Sequence, residues 1–326
     1  MKGDFRELLL LRHGKSDWRH PLSDIERPLK KRGRQGAQRI GAWLQQAELW
    51  PDLILCSPAD RARQTAELCC KVLGNPGRGI QIDRELYLAD ADALLRVLAR
   101  VPDECRRVLL VGHNPGLETL LRELASTAPT VPADGKLLAT ATLAQLSLPG
   151  ASWRALPKGR GELVALVRAS ALAHRFPFPH AGERQEWRPR PAYYYHQAAA
   201  IPYRFQDGRL EVLLTGCRKG ERWRLPQGKV EPGCSEMATA CRQARVQGGV
   251  VGEVNLPCLG YFRREKWGAD CDVAVYGVEV HQVLDGDNWI AADRAREWLA
   301  ATPASQWVQP PEVGRLISKL ARVLAG

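Results

Sequence analysis

The sequence predicts two α/β domains in tandem, and three observations carry that prediction. Residues 1–172 alternate short apolar runs with amphipathic stretches of helical period, the pattern of a mostly parallel sheet with helices on both faces. Residues 173–192 break it: Ala173-His174-Arg175-Phe176-Pro177-Phe178-Pro179 and Arg188-Pro189-Arg190-Pro191 hold four prolines and no period, reading as a linker or a loosely packed connecting arm. From Tyr193 the alternation resumes to residue 326. A chain of 326 residues suits two domains of ordinary size.

The elements follow in order. Strands are expected at Glu7–Leu11, where four leucines in a row imply burial on both faces, and at Asp52–Cys56, Ile80–Ile82 and Arg107–Val111. Amphipathic helices are expected from Lys31 to about Glu48, Ala59 to Leu73, Ala91 to Ala99 and Pro115 to Ala125. Thr140–Leu148 and Leu163–Val167 add strands at the sheet edge. In the second half, strands fall at Gln197–Phe205, Leu210–Cys217, Cys258–Arg264 and Asp272–Glu279. Helices fall at Cys234–Gln247 and Pro311–Leu324.

Apolar residues make up 45% of the chain and charged residues 25%, an ordinary globular balance. No apolar run approaches the roughly 20 residues that span a bilayer. The start, Met1-Lys2-Gly3-Asp4, shows no signal peptide, so a cytoplasmic location without membrane contact is expected. Nine cysteines without a Cys-x-x-Cys pair point to reduced, buried thiols rather than disulfides or zinc. Net charge is +11, of which residues 1–172 carry +7. That surplus favours anionic partners, although solubility alone can require it. No basic-aromatic interleaving accompanies the charge, which makes nucleic acid an unlikely partner.

Chemistry concentrates at the expected strand ends, where α/β folds gather their active groups. Arg12-His13-Gly14 closes the first strand. A histidine there is ordinarily a structural hydrogen-bonder, but two further segments converge with it. Ser57-Pro58 breaks the second strand, and the helix behind it places Arg61 in its first turn, adding a cation to the positive helix end. The fourth strand ends in Gly112-His113-Asn114-Pro115, with Gly112 expected to let the backbone come close and Pro115 suited to the first helical position. Two histidines and two arginines on one rim make a phosphate pocket with a nucleophile: His13 attacks phosphorus, and Arg12, Arg61 and His113 stabilise the oxygens. Side-chain cations supply the positive charge, so neither metal nor cofactor is required. Lys15, Ser16 and Asn114 are candidates to line the pocket. Arg63 reads as a surface residue, and Lys30-Lys31-Arg32-Arg34 as a solvated helix start that could also guide an anionic partner.

These segments resemble the histidine phosphatase superfamily, with its three-layer αβα, phosphoglycerate-mutase-like fold. Leu11 to Trp18, with Glu26-Arg27-Pro28-Leu29 and Arg32 to Ala37, is similar to the small SixA-type phosphohistidine phosphatases over about residues 5–170. The resemblance implies that His13 is the nucleophile, that Arg12, Arg61 and His113 form the phosphate pocket, and that a glutamate after the third strand is the general acid. Glu85 is the natural candidate for that acid, with Asp90 and Asp92 as alternatives. It also implies a phosphohistidine-bearing protein as substrate; a small phosphorylated molecule such as a nucleotide or sugar phosphate, and a non-catalytic phospho-ligand sensor, are the competing readings.

The second half resembles the Nudix fold, an α/β sandwich. Aligned on Gly228, that family's motif keeps its frame at Arg242, Gly249 and Val250. Its metal-binding glutamates are replaced by Cys234, Gln243, Val246 and Gln247. Mg²⁺ and Mn²⁺ want carboxylate oxygens, so the domain is expected to be inactive as a pyrophosphatase. A nucleotide-like ligand or a purely structural role then remain open, and Trp223, Tyr261, Phe262 and Trp267 could stack a base or simply fill the core.

Overall fold

The computed structural model describes residues 5–19, 21–74, 79–179, 186–216, 223–289 and 295–325. The chain divides into two compact units, Met1–Pro177 and Phe178–Gly326.

Unit 1 runs β1 (Phe5–Arg12), α1 (Lys31–Gln46), β2 (Leu53–Cys56), α2 (Asp60–Leu73), β3 (Ile80–Ile82), α3 (Ala91–Leu98), β4 (Arg107–Gly112), α4 (Gly116–Leu124), β5 (Thr142–Pro149) and β6 (Glu162–Arg168). The sheet order is β3-β2-β4-β1-β5-β6, with β1 to β4 mutually parallel, β5 antiparallel to β1 and β6 antiparallel to β5. Leu8, Leu9, Leu10 and Leu11 are all fully buried, because β1 lies mid-sheet with a packed layer on each face. Leu8 and Leu10 pack with Leu94 of α3 and Leu117 of α4. Leu9 and Leu11 pack with Ile40 of α1 and Ala62 and Ala66 of α2. This is a three-layer αβα unit.

Two short strands follow, β7 (Phe176–Phe178) and β8 (Glu186–Arg188), paired as a two-stranded sheet within the stretch expected to be a linker. The Arg188 guanidinium lies 3.4 Å from the Phe178 ring centroid and 4.8 Å from that of Tyr195. Cation–π stacking thus joins Phe178 and Arg188, two residues that composition alone places in a spacer.

Unit 2 runs β9 (His196–Gln206), β10 (Arg209–Gly216), β11 (Trp223–Arg224), β12 (Gln227–Lys229), α5 (Glu236–Gln243), β13 (Val250–Glu253), β14 (Gly260–Lys266), β15 (Ala269–Val283), β16 (Arg296–Ala300), α6 (Ala301–Trp307) and α7 (Pro311–Ala325). Its mixed sheet follows the path β11-β10-β9-β15-β13, with β12 on β9, β14 on β15 and β16 on β10. One face packs Val273 and Val275 against Ile317 and Leu320 of α7. The other packs Ala274 and Val278 against Ala240 of α5. The helix expected at Cys234–Gln247 begins two residues later, because Ser235 caps it by accepting from the Ala238 amide at 3.1 Å. It then widens into a π-helical turn over Ala244–Gly248. β13, β16 and α6 were not expected from the sequence pattern.

Among the described residues the cysteines are free thiols; Cys217 lies outside them. Cys56, Cys69, Cys70, Cys105 and Cys271 are buried as expected, whereas Cys234 is exposed.

Candidate active site

Register brings the three strand ends of unit 1 to one height. Arg12 pairs with Gly112, and Cys56 with Val111. Beyond the ladder, the His13 amide donates to the Gly112 carbonyl at 3.1 Å and the Ser57 amide to the Val111 carbonyl at 3.0 Å. His13, Ser57 and His113 thus leave the sheet side by side.

His13 is held as one tautomer. Its Nδ1–H donates to the Gly14 carbonyl at 2.7 Å, leaving Nε2 with a lone pair that faces the Arg61 Nε–H at 3.3 Å. Burial, then the Arg61, Arg12 and Arg27 charges, lower its pKa from 6.5 to about 4, despite the Gly14 bond. The imidazole is therefore neutral near pH 7. His113 lies with its ring centroid 5.1 Å from that of His13. Its Nε2–H donates to Ser57 Oγ at 2.8 Å, and its Nδ1 accepts from Arg61 Nη2 at 3.4 Å. Burial, the neighbouring His13 and Arg61 lower it to about 3. The loop after β1 is fastened to α2 by Thr65, whose Oγ1 accepts from the Gly14 amide at 2.9 Å and donates to the Arg61 carbonyl at 2.6 Å.

Three residues that the sequence did not single out complete the cluster. The Asp24 carboxylate accepts from Arg61 Nη2 at 2.8 Å and from the Tyr87 hydroxyl at 2.7 Å, and it pairs closely with Arg27. Although partial burial raises its pKa, Tyr87, Arg61 and Arg27 bring it down to about 2. Tyr87 also meets His113 edge-on, centroids 5.7 Å apart. Arg27 is buried, with Nε and Nη1 unpartnered among the described residues and its guanidinium 3.4 Å from the exposed Trp18 ring centroid. The only signal for Asp24 and Arg27 was the Arg27-Pro28-Leu29 motif, which carries no residue role by itself.

The other candidates are placed differently. The Arg12 guanidinium donates to the Leu138 carbonyl at 2.7 Å, and its charge bears on both histidines. Glu85 is exposed and bound by Arg100 Nη1 at 2.9 Å, a surface ion pair rather than a contact of the histidine cluster. Asp90 caps α3, accepting from the Ala93 amide at 2.8 Å, and Asp92 lies exposed in its first turn. Asn114 Nδ2 donates to Glu118 at 2.6 Å and to the Leu138 carbonyl at 3.0 Å, so it braces a loop. Ser16 is buried in a bridge to Leu29, and Lys15 is exposed. The close backbone approach expected at Gly112 occurs instead at Gly116. A methyl at Gly112 would meet nothing nearer than 3.6 Å, whereas at Gly116 it would lie 1.9 Å from the Ala89 carbonyl oxygen.

In unit 2, two of the four motif positions without carboxylates bind each other. Gln247 Nε2 donates to Gln243 Oε1 at 2.6 Å and to the Gln227 carbonyl at 2.7 Å. Glu236 is engaged by the Tyr276 hydroxyl at 2.6 Å and His196 Nε2 at 2.9 Å. No group of three or more His, Cys, Asp or Glu side chains suited to a metal occurs among the described residues. Phe262 is buried in the core and Trp223 packs against it, while Tyr261 is exposed and Trp267 meets Tyr194 edge-on at 5.1 Å.

A neutral imidazole whose unprotonated Nε2 faces Arg61, with the Arg12 and Arg27 charges bearing on it, has the chemistry to receive a phosphoryl group. Comparison with known proteins agrees with that class. Residues 8–91 match the histidine phosphatase superfamily (branch 1). An uncharacterized Mycobacterium tuberculosis protein is 36% identical over 120 residues, covering 37% of this chain and 73% of that one. A chloroplastic Arabidopsis thaliana protein is 29% identical over 158 residues, covering 45% and 69%. Among solved structures, a SixA protein of Nakamurella multipartitia is 28% identical with a TM-score of 0.44, covering 50% of this chain and 96% of that one. A Caenorhabditis elegans Ap4A hydrolase is 21% identical with a TM-score of 0.33, covering 40% and 98%. Within the first unit, residues 8–91 carry the histidine phosphatase superfamily match, a family resemblance consistent with a phosphatase. No helix among the described residues is long and apolar enough to cross a membrane.

Proposed function

We propose that unit 1 is a metal-independent phosphatase that works through a phosphohistidine at His13 and acts on phosphohistidine-bearing proteins. The observation that carries the reading is the His13 imidazole, with Nδ1–H tied to the Gly14 carbonyl and Nε2 facing Arg61. Nε2 attacks phosphorus and the bond to the leaving group breaks. Arg61, Arg27 and Arg12 neutralise the oxygens while His113 lies alongside. Water then cleaves the phosphorus–Nε2 bond, releasing phosphate and restoring neutral His13. The position of Glu85, paired with Arg100, supports a phosphoramidate substrate, since an imidazole leaving group needs less acid assistance than an alkoxide.

Unit 2 is read as a Nudix-like domain that does not hydrolyse its ligand and serves as a regulatory or nucleotide-binding module. The paired amides of Gln243 and Gln247, where a metal site needs anionic oxygens, support this.

The test is hydrolysis of p-nitrophenyl phosphate and of a phosphohistidine protein by the full chain with excess chelator. Turnover of both, abolished by His13→Ala, is expected, with the phosphohistidine protein preferred over sugar phosphates and nucleotides. Absence of turnover across that panel, or a requirement for Mg²⁺, overturns the reading.

A further inference from the structure

Beside the histidine cluster, unit 1 holds a second concavity of about 380 Å³, lined by Arg12, Lys15, Arg32, Arg39, Lys136 and Arg168. Its floor is bare backbone at Gly33 and Gly36, where a methyl would come within 2.3 Å of the Lys15 carbonyl oxygen and 3.0 Å of Ala141 Cβ. The one acidic side chain lining it, Asp134, is already held by Arg168 through two bonds of 2.9 and 3.0 Å. Glu118 acts on Arg12 from the α4 side. Among the described residues Lys15, Arg32 and Arg39 form no ion pair, and Lys136 shares Asp134 with Arg168. Among the described residues Arg12 donates to the Leu138 carbonyl at 2.7 Å, and Arg39 to the Ala169 carbonyl at 3.5 Å and to His174 Nδ1 at 3.1 Å. The Nε atoms of Arg12, Arg39 and Arg168 are buried without a partner among the described residues. Gathering these cations around one hollow, with Glu118 and Asp134 as partial counter-charges, costs electrostatic energy that an anion would recover.

Arg12 ties this hollow to the chemistry, because it lines the wall while its charge depresses both His13 and His113. We propose that the Arg12–Arg39–Lys136 hollow is an anion subsite of the active centre, taking a second phosphate or carboxylate group of the substrate next to the phosphoryl group delivered to His13. The inference rests on the phosphatase reading and deepens it. The preferred substrate carries its scissile phosphoryl group beside a further anionic group, either another phosphate of a small molecule or an acidic side chain flanking a phosphohistidine. The basic run Lys30-Lys31-Arg32-Arg34 gains a use, since Arg32 forms part of the wall.

The experiment uses the full chain, with p-nitrophenyl phosphate as reporter and orthophosphate and tripolyphosphate as competitive inhibitors. Tripolyphosphate is expected to inhibit about tenfold more tightly than orthophosphate, and Arg32→Ala with Lys136→Ala is expected to cut that ratio to about threefold or less. Arg96→Ala with Arg154→Ala removes equal charge outside the hollow and should leave the ratio intact. Two phosphohistidine peptides, one flanked by aspartates and one by alanines, distinguish the sources. Preference for the acidic peptide assigns the subsite to protein substrates, and a polyphosphate ratio without that preference assigns it to small molecules. Equal inhibition by the two anions together with equal turnover of the peptides overturns the proposal, as does an equal fall of the ratio in both double variants. Calorimetric titration of tripolyphosphate into His13→Ala reads the hollow without turnover, so failure of the phosphatase reading and failure of the subsite are separable.

Discussion

Asp24 sets the geometry of the histidine–arginine cluster, because one carboxylate anchors Arg61, Arg27 and the Tyr87 hydroxyl at once. Asp24→Asn keeps the size of the side chain but leaves two buried guanidinium groups without their counter-charge. The expected result is a fall of about tenfold or more in kcat for p-nitrophenyl phosphate, larger than any change in KM, since Arg61 keeps its charge and loses its orientation. A drop confined to KM would instead make Asp24 a contributor to binding alone. The histidines give a pH signature. Above about pH 7 His13 and His113 are neutral whether the chain is folded or unfolded. Below 6.5 the unfolded chain takes up protons that the folded site, with its pKa values near 4 and 3, refuses. Stability should therefore fall as pH drops from 6.5 towards 4 and be insensitive to these groups above 7. Denaturant midpoints across that window, with histidine NMR signals unshifted down to about pH 5.5, would show it. His13, Arg61 and His113 were legible in the sequence because each follows closely on a recognisable strand end. Asp24, Arg27 and Tyr87 were not, because they arrive from loops whose approach depends on tertiary packing. For the same reason the sequence places Glu85 after β3 but does not show that its carboxylate pairs with Arg100.

At the scale of elements, the central strands β1, β2 and β4 of unit 1 were legible because parallel strands buried on both faces leave unbroken apolar runs. The β1 and β4 runs Glu7–Leu11 and Arg107–Val111 each fall within a residue or two of the observed ends. Unit 2 was legible less fully. Val250–Glu253 and Arg296–Ala300 are short, carry charges and lie at the margins of the sheet, so they lack the period that marks a strand. Glycine reading also depends on packing. Two variants separate a glycine that only ends a strand from one that an element requires. Gly116→Ala drives a methyl into the Ala89 carbonyl at the start of α4, with an expected cost of about 2–4 kcal/mol. Gly112→Ala places its methyl at ordinary contact distance from Leu110 and Leu117, with an expected cost of about 1 kcal/mol or less. Urea midpoints of the two variants give the comparison, and equal midpoints would contradict the packing seen at Gly116.

At the scale of the molecule, each unit carries its own core on both faces of its own sheet. Leu8, Leu10 and Leu117 or Leu9, Leu11 and Ile40 in unit 1 have counterparts in Val273, Val275 and Ile317 or Ala274, Val278 and Ala240 in unit 2. The groups placed around His13, namely Arg12, Asp24, Arg27, Arg61, Tyr87 and His113, all come from residues before 178. Most of the positive charge also falls in the first half, so an anionic ligand would be drawn towards unit 1. A chain ending at Pro177 should therefore fold cooperatively and hydrolyse p-nitrophenyl phosphate within about threefold of the full chain's kcat/KM, with the same loss on His13→Ala. Circular dichroism and a urea transition establish folding, and kinetics under matched ionic strength establish the rest. A folded fragment that turned over more than about tenfold slower would show that residues beyond 177 complete the catalytic site. If the aryl phosphate rate survives and only turnover of a phosphohistidine protein falls, unit 2 acts on the choice of substrate, as its regulatory reading requires.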